Sequence, residues 1–168
     1  ALQLQAGTAE YDDAQTIAGE ISRLERIVKD VLLFGRPSEP HFVAIKAEEP
    51  LRQVQALLAA ELQKSNISLA FENSVKTHIR ADPQQIKQVL INLVQNAAES
   101  IGHDGTVTLR ARESIKRLAE GERNVVILEV ADNGKGIPPD VEKRLFDPFF
   151  TTKETGTGLG LSIAARIV

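Results

Sequence analysis

Two amides stand four residues apart in the stretch INLVQNAAES, residues 91–100: Asn92 and Asn96. Four residues is about 400° of helical rotation, so in a helix both lie on one face. The same spacing extends the row to Gln88, Asn92, Asn96 and Ser100, with Ile86, Val89, Leu90, Leu93, Ala97 and Ile101 around it. Asn is a poor helix former, because its side chain competes with the backbone for hydrogen bonds. A buried amide without a partner costs about 1–3 kcal/mol. The stripe must therefore cap neighbouring backbone or face a ligand, and ten residues alone leave both readings open.

Three later stretches have chemistry of their own. VADNGKGIPPD (130–140) puts Asp132 at the end of an apolar strand, ahead of Gly134 and Gly136. Such an acid can accept a hydrogen bond from an exocyclic amine, and glycines let backbone approach a ligand closely. The plainer reading is a tight turn, for which D-N-G is a strong signal. TKETGTGLGLSIAA (152–165) places Gly156, Gly158 and Gly160 directly before a helix, with Lys153 just upstream. Backbone N–H groups at a helix start bind anions, and glycine admits a phosphate. A capped flexible loop is the alternative. The run is not a Walker loop, because no Lys-Ser/Thr follows the glycines. Nor does a strand precede it, as a dinucleotide fingerprint requires. Between the two segments, FDPFF (146–150) is an apolar knob suited to anchoring one end of a loop.

The elements that would position these residues are legible in outline. Ala14, Ile17, Ile21, Leu24, Val28 and Val31 are spaced as an a/d heptad seam within a helix over 11–34. The seam calls for another helix, in a helical hairpin and dimer; packing on the domain behind it is the alternative. GRPSEP (35–40) breaks that helix. Strands follow at 42–45, 67–73 and 77–81, with a helix from Glu48 to Lys64 facing Leu51, Val54, Leu58 and Leu62 inward. Asp82 and Pro83 start the stripe helix, which runs to Ile101. TVTLRAR (106–112) and VVILEVAD (125–132) read as strands separated by a charged loop containing Gly121. Little regular structure is expected from 133 to 160 except near Asp140–Leu145, and a last helix begins near Leu159.

At 168 residues, 42% apolar and 26% charged, the chain can bury one real core. A net charge of −3 with no basic stripe argues against a nucleic-acid surface. With no cysteine, disulfides and thiolate metal sites are excluded, which is compatible with the cytosol. No stretch of 18 apolar residues marks a membrane span. The start at ALQLQA and the stop at LSIAARIV are expected to be cuts in a longer protein.

Asn-x-x-x-Asn on a helix, then D-N-G-K-G-I, F-D-P-F-F and G-T-G-L-G-L, in that order within about 70 residues, resembles the ATP-binding domain of sensor histidine kinases. The four segments look like that family's N, G1, F and G2 boxes, and LLFGRPSEP looks like the end of a second dimerisation helix of the nitrogen-sensor type. The resemblance implies a two-layer α/β sandwich of the Bergerat type at 42–168, C-terminally incomplete. Ahead of it would lie a linker at 37–41 and a partial dimerisation region at 1–36. ATP and Mg²⁺ are the implied cofactors. Asn96 would coordinate Mg²⁺ on the triphosphate, and Asn92 would support the phosphate or metal end. Asp132 would bind the adenine amino group, with Gly134, Gly136 and Ile137 at the same end. Thr157, Gly158, Leu159 and Gly160 would hold phosphate oxygens beneath a lid at 146–157, and Lys153 would contact the terminal phosphates. The implied partners are a second copy of the full protein and a response regulator receiver domain, with no nucleic acid. The implied location is cytoplasmic, in a parent protein whose other segments could anchor it to a membrane.

Several residues qualify that reading. Hydrolysing members of the wider superfamily carry a Glu general base where this chain has Asn92, so ATP should be held without rapid hydrolysis. A regulatory nucleotide-binding module and an ATP hydrolase are the rival functions. His41, His78 and His103 lack the context of the family's phosphate acceptor, which is therefore expected outside this chain. Glu99 stands where many relatives have a Lys that reaches phosphate, which shifts weight onto the lid.

Overall fold

The computed structural model describes residues 8–35, 39–72, 75–118, 121–153 and 156–168. The expected start ALQLQ, the centre of GRPSEP and part of the loop at 73–76 lie outside the described residues. Helix α1 (Ala9–Gly35) takes up the heptad row. At 1.5 Å per residue it is about 40 Å long. Its seam stays exposed, from Ile17 at 60% to Val31 at 47%, so packing on the domain behind it does not account for the row.

After α1 come β1 (Val43–Lys46), α2 (Glu49–Gln63), β2 (Ile67–Glu72), β3 (His78–Ala81) and α3 (Pro83–Ile101). The chain continues through β4 (Gly105–Leu118), β5 (Gly121–Asp132), α4 (Pro139–Glu142) and α5 (Gly160–Ile167). Strands β2, β4 and β5 form one sheet in that order, β2 parallel to β4 and β4 antiparallel to β5. Strands β1 and β3 form a separate antiparallel pair. Helices α2 and α3 cover one face of the three-stranded sheet, giving a two-layer α/β sandwich. Leu51, Val54, Leu58 and Leu62 of α2 meet Leu90, Val94 and Ala97 of α3 over Val107, Leu109 and Ala111 of β4. The period-two burial of β4 makes that contact: alternate residues face the helices, while Arg110 and Arg112 point away and pair with Glu72 and Glu129.

One expectation fails. The segment expected as a charged loop between β4 and β5 is an extended hairpin, paired from Glu113↔Val126 out to Leu118↔Gly121. Ladder hydrogen bonds satisfy its backbone without a core, so polar and charged side chains can occupy both wet faces. Charge density therefore disguised a ribbon as a loop.

Asp82 sets the start of α3. Its Oδ1 accepts from the backbone N–H groups of Gln84 (2.8 Å) and Gln85 (3.1 Å), and its Oδ2 accepts from His41 N at 2.8 Å. The His41 N–H, followed by that of Gln85, holds the carboxyl below its ordinary range, against an opposing effect of burial. Asp82→Ala should cost about 1–2 kcal/mol of unfolding free energy by urea denaturation. The group titrates lower in the folded than in the unfolded chain. Its ionised contribution is therefore complete above the unfolded value near pH 4 and is lost as pH falls through the folded value. The wild-type advantage over Asp82→Ala should shrink across that acidic window and stay flat from pH 6 to 8.

Candidate functional site

The polar stripe of α3 is paired along its length. Gln88 Nε2 donates to Asn92 Oδ1 at 3.0 Å, and Asn92 Nδ2 donates to the carbonyl of Gly160 at 3.0 Å. Asn92 is 8% exposed and both ends of its amide are used, so it faces the backbone at the head of α5. One turn on, Asn96 Oδ1 accepts from Lys153 Nζ at 3.0 Å, and that ammonium also pairs with Glu99. A further turn on, Ser100 O accepts from Lys135 N at 3.4 Å. Of the two readings left open by the sequence, Asn92 takes the first and caps backbone, while Asn96 meets the ammonium of Lys153.

The two glycine segments are strapped to opposite ends of this stripe. In the first, Gly134 N donates to Asp132 Oδ1 at 2.9 Å, the turn that D-N-G signals. A Cβ on Gly134 would lie 2.7 Å from the carbonyl carbon of Ser100, so glycine lets the turn sit against α3. Asn133 Oδ1 accepts from Thr106 N at 2.9 Å and ties the turn back to β4. Gly136 has φ +73° in open space, and Ile137 beside it is exposed.

The second segment is held from three sides. Gly158, at φ +67°, accepts from Phe149 N through its carbonyl at 3.0 Å, and a Cβ there would fall 2.4 Å from the Phe149 carbonyl carbon. Phe149 itself adopts φ +64°, so FDPFF anchors the glycine run through its backbone. Leu159 N donates to Thr157 Oγ1 at 3.2 Å, and Thr157 Oγ1 donates to Asp30 Oδ2 at 2.9 Å. Asp30 is 9% exposed. Phe34 stacks edge-on against Phe149 at 5.9 Å between ring centres, and Arg166 donates to the Phe34 carbonyl at 2.7 Å. Asp30, Phe34 and Arg166 were missed by sequence reasoning. Their contacts span more than a hundred residues, and none of them breaks a local pattern.

The arrangement has the parts of an anion site beside a cation-accepting oxygen. Thr157, Gly158, Leu159 and Gly160 present loop backbone at the start of α5, and Lys153 and Asn96 stand at the neighbouring turn of α3. Asp132 lies at the far end of the stripe.

Residues 81–168 match the family model described as histidine kinase-, DNA gyrase B-, and HSP90-like ATPase. The sensor histidine kinase ZraS of Salmonella typhi is 37% identical over 164 residues, which is 97% of this chain and 34% of that protein. The chain thus spans about a third of the length of the curated relatives it first matches. The solved catalytic domain of histidine kinase ThkA is 37% identical, with a TM-score of 0.64 over 76% of this chain and 79% of that one. ThkA solved in complex with response regulator protein TrrA is 33% identical, with a TM-score of 0.75 over 98% of this chain and 46% of that one.

Gly136 and Gly158, the positive-φ glycines of these two segments, offer a paired test. Gly136→Ala meets open space and should cost about 1–2 kcal/mol from the left-handed backbone alone. Gly158→Ala adds a collision with the Phe149 backbone and should cost about 1–3 kcal/mol more. Urea unfolding of both variants measures the difference; equal losses would show that the clamp between Phe149 and Gly158 is not tight.

Proposed function

The chain belongs to the histidine kinase-, DNA gyrase B- and HSP90-like ATPase family, as a histidine-kinase type of ATP-binding domain, and from that premise we propose how its site is used. It binds Mg·ATP and presents the γ-phosphate to a histidine on a helix outside this chain. The observation that carries the reading is the meeting of Asn96 and Lys153 beside the glycine run, with the Asp132 turn set against Ser100, one helical turn further along the same stripe. Asp132 accepts the adenine amino group, and Gly134, Gly136 and Ile137 shape that end. The backbone of Thr157, Gly158, Leu159 and Gly160 holds phosphate oxygens, as N–H groups at a helix start do. Asn92 acts through the loop, fixing Gly160 rather than reaching the ligand.

Asn96 is suited to a metal on the triphosphate: its oxygen already takes an ammonium, and an amide carbonyl is a hard donor. Bound there, Mg²⁺ would offset phosphate charge as the γ-phosphoryl is transferred in line. Among the described residues no three His, Cys, Asp or Glu side chains cluster around a metal, and Mg²⁺ usually keeps waters and phosphate oxygens as most of its shell. An amide at 92 offers no general base, so water is not activated there. The acceptor nucleophile is then a separate imidazole, positioned rather than generated by this domain.

Residues 1–36 form part of the dimerisation region, 37–41 the linker and 42–168 the ATP-binding domain in this reading. The exposed seam of α1 pairs in a homodimer of the full protein, and a response regulator receiver domain takes the phosphoryl group. ThkA, solved with its response regulator protein, supports the last of these. Among the described residues no helix is long and apolar enough to cross a membrane. The domain works in the cytoplasm, where ATP is supplied.

Calorimetric titration tests the site directly. ADP and a non-hydrolysable ATP analogue should both bind. Asp132→Asn should weaken both about 10-fold or more, since it loses a charge-assisted hydrogen bond. Asn96→Ala should weaken the analogue mainly when Mg²⁺ is present. If Asp132→Asn binds like wild type, adenine does not sit at that turn.

A further inference from the structure

Glu99 is the one carboxylate on the stripe side of α3 that the proposed site leaves without a role, and it is placed against that site's cation. Lys153 Nζ contacts Asn96 Oδ1 at 3.0 Å and also pairs with Glu99, one turn further along the helix. The two side chains are 54 residues apart in sequence, so the pair joins the loop after FDPFF to α3. The loop turn at Lys153 is closed independently: its N–H donates to Thr151 Oγ1 at 3.1 Å. Gly156 N donates to the Lys153 carbonyl at 3.3 Å, and a Cβ on Gly156 would strike Thr151 Oγ1 at 2.4 Å. Lys153 is thus held by Thr151 and Gly156, just ahead of the proposed anion-binding run.

The charges decide what the pair is for. An unpaired carboxylate at 99 would oppose a triphosphate, and an ammonium held on it cancels that repulsion. An ammonium has three N–H donors. Two are spent on Asn96 and Glu99, and the third can reach a phosphate oxygen without breaking the ion pair. A cation on Asn96 Oδ1 would take that position from the lysine, because two positive groups do not share one carbonyl. Glu99 is then the tether that keeps the ammonium at the site.

We propose that Glu99 is a positioning residue of the nucleotide site: it holds the Lys153 ammonium where the terminal phosphate arrives, and so favours triphosphate over diphosphate. This rests on the nucleotide-binding reading above. Glu99 touches no ligand itself and acts through Lys153.

A double-mutant cycle on the 168-residue chain isolates that dependence. Kd values for ADP and for the non-hydrolysable ATP analogue, with and without Mg²⁺, are measured for wild type, Glu99→Gln, Lys153→Gln and the double variant. Both positions are about half exposed, so each variant should keep the wild-type unfolding midpoint. Lys153→Gln should weaken the analogue about 5–20-fold and ADP less than 2-fold, as loss of one charge-assisted phosphate contact predicts. With Lys153 present, Glu99→Gln should weaken the analogue about 3–10-fold, and Glu99→Asp should recover part of the loss. With Lys153 already replaced, Glu99→Gln should instead tighten the analogue, because only a repelling carboxylate is then removed. That change of sign is the signature of a positioning role. The same effect of Glu99→Gln in both backgrounds overturns the proposal. So does a loss seen only with Mg²⁺ and independent of Lys153, which would make Glu99 a metal ligand. A wild-type chain that binds neither nucleotide overturns the nucleotide reading and this proposal with it, whereas normal ADP binding without the sign change overturns this proposal alone.

Discussion

A buried side-chain amide has to be paired, and in this protein Asn92 is paired to the carbonyl of Gly160. The bond joins the middle of α3 to the first residue of α5 across 68 positions of sequence. Its loss would leave the Asn92 donor unsatisfied inside the protein, at about 1–3 kcal/mol. Together with the contacts of Lys153 to Asn96 and Glu99, it sets the glycine run against the helix that bears Asn96 and Ser100. Local preference alone would not hold it: Gly156, Gly158 and Gly160 permit many conformations, and Gly158, at positive φ, is clamped against Phe149. A rigid helix thus serves as the ruler against which two flexible segments are laid, and the polar stripe is its scale.

The ruler depends in turn on the sandwich. Leu90, Val94 and Ala97 lie on the face of α3 that packs on α2 and β4, with Asn92 on the side turned to α5. Rotation of α3 by one residue would move the amides off the loops and the leucines out of the core together. Packing and site geometry therefore enforce each other. The N-terminus of α3 is pinned as firmly by Asp82, whose two oxygens gather Gln84, Gln85 and the segment ahead of β1 at His41.

Much of this was legible in the sequence, for a definable reason. Regular periodicity survives translation into structure: the inward row of α2, the alternation of β4, the heptads of α1 and the cap at Asp82 all fall where residue spacing puts them. The order of the polar and glycine segments likewise identified the family. What spacing cannot encode is contact between distant segments. Asp30 reads as one more charge on an amphipathic helix, yet it is buried against Thr157. Glu99 reads as a departure from a motif, and its meaning depends on a lysine from another loop. The hairpin beyond residue 112 was misread because charged ribbons and charged loops have the same composition and differ in backbone pairing.

The exposed seam of α1 and its docked end have opposite consequences. Ile17 to Val31 offer an apolar row whose burial against another helix would be worth about 25 cal/mol per Å². Asp30 and Phe34, on the last turns of the same helix, are committed to Thr157 and Phe149. Any partner helix laid on the seam is therefore joined to the glycine loop through the last turns of α1. Thr157 is the junction: its hydroxyl donates to Asp30 and its oxygen accepts from Leu159 N, a backbone group that an incoming anion would also seek. The carboxylate of Asp30 and the backbone N–H of Leu159 are thus tied to one hydroxyl.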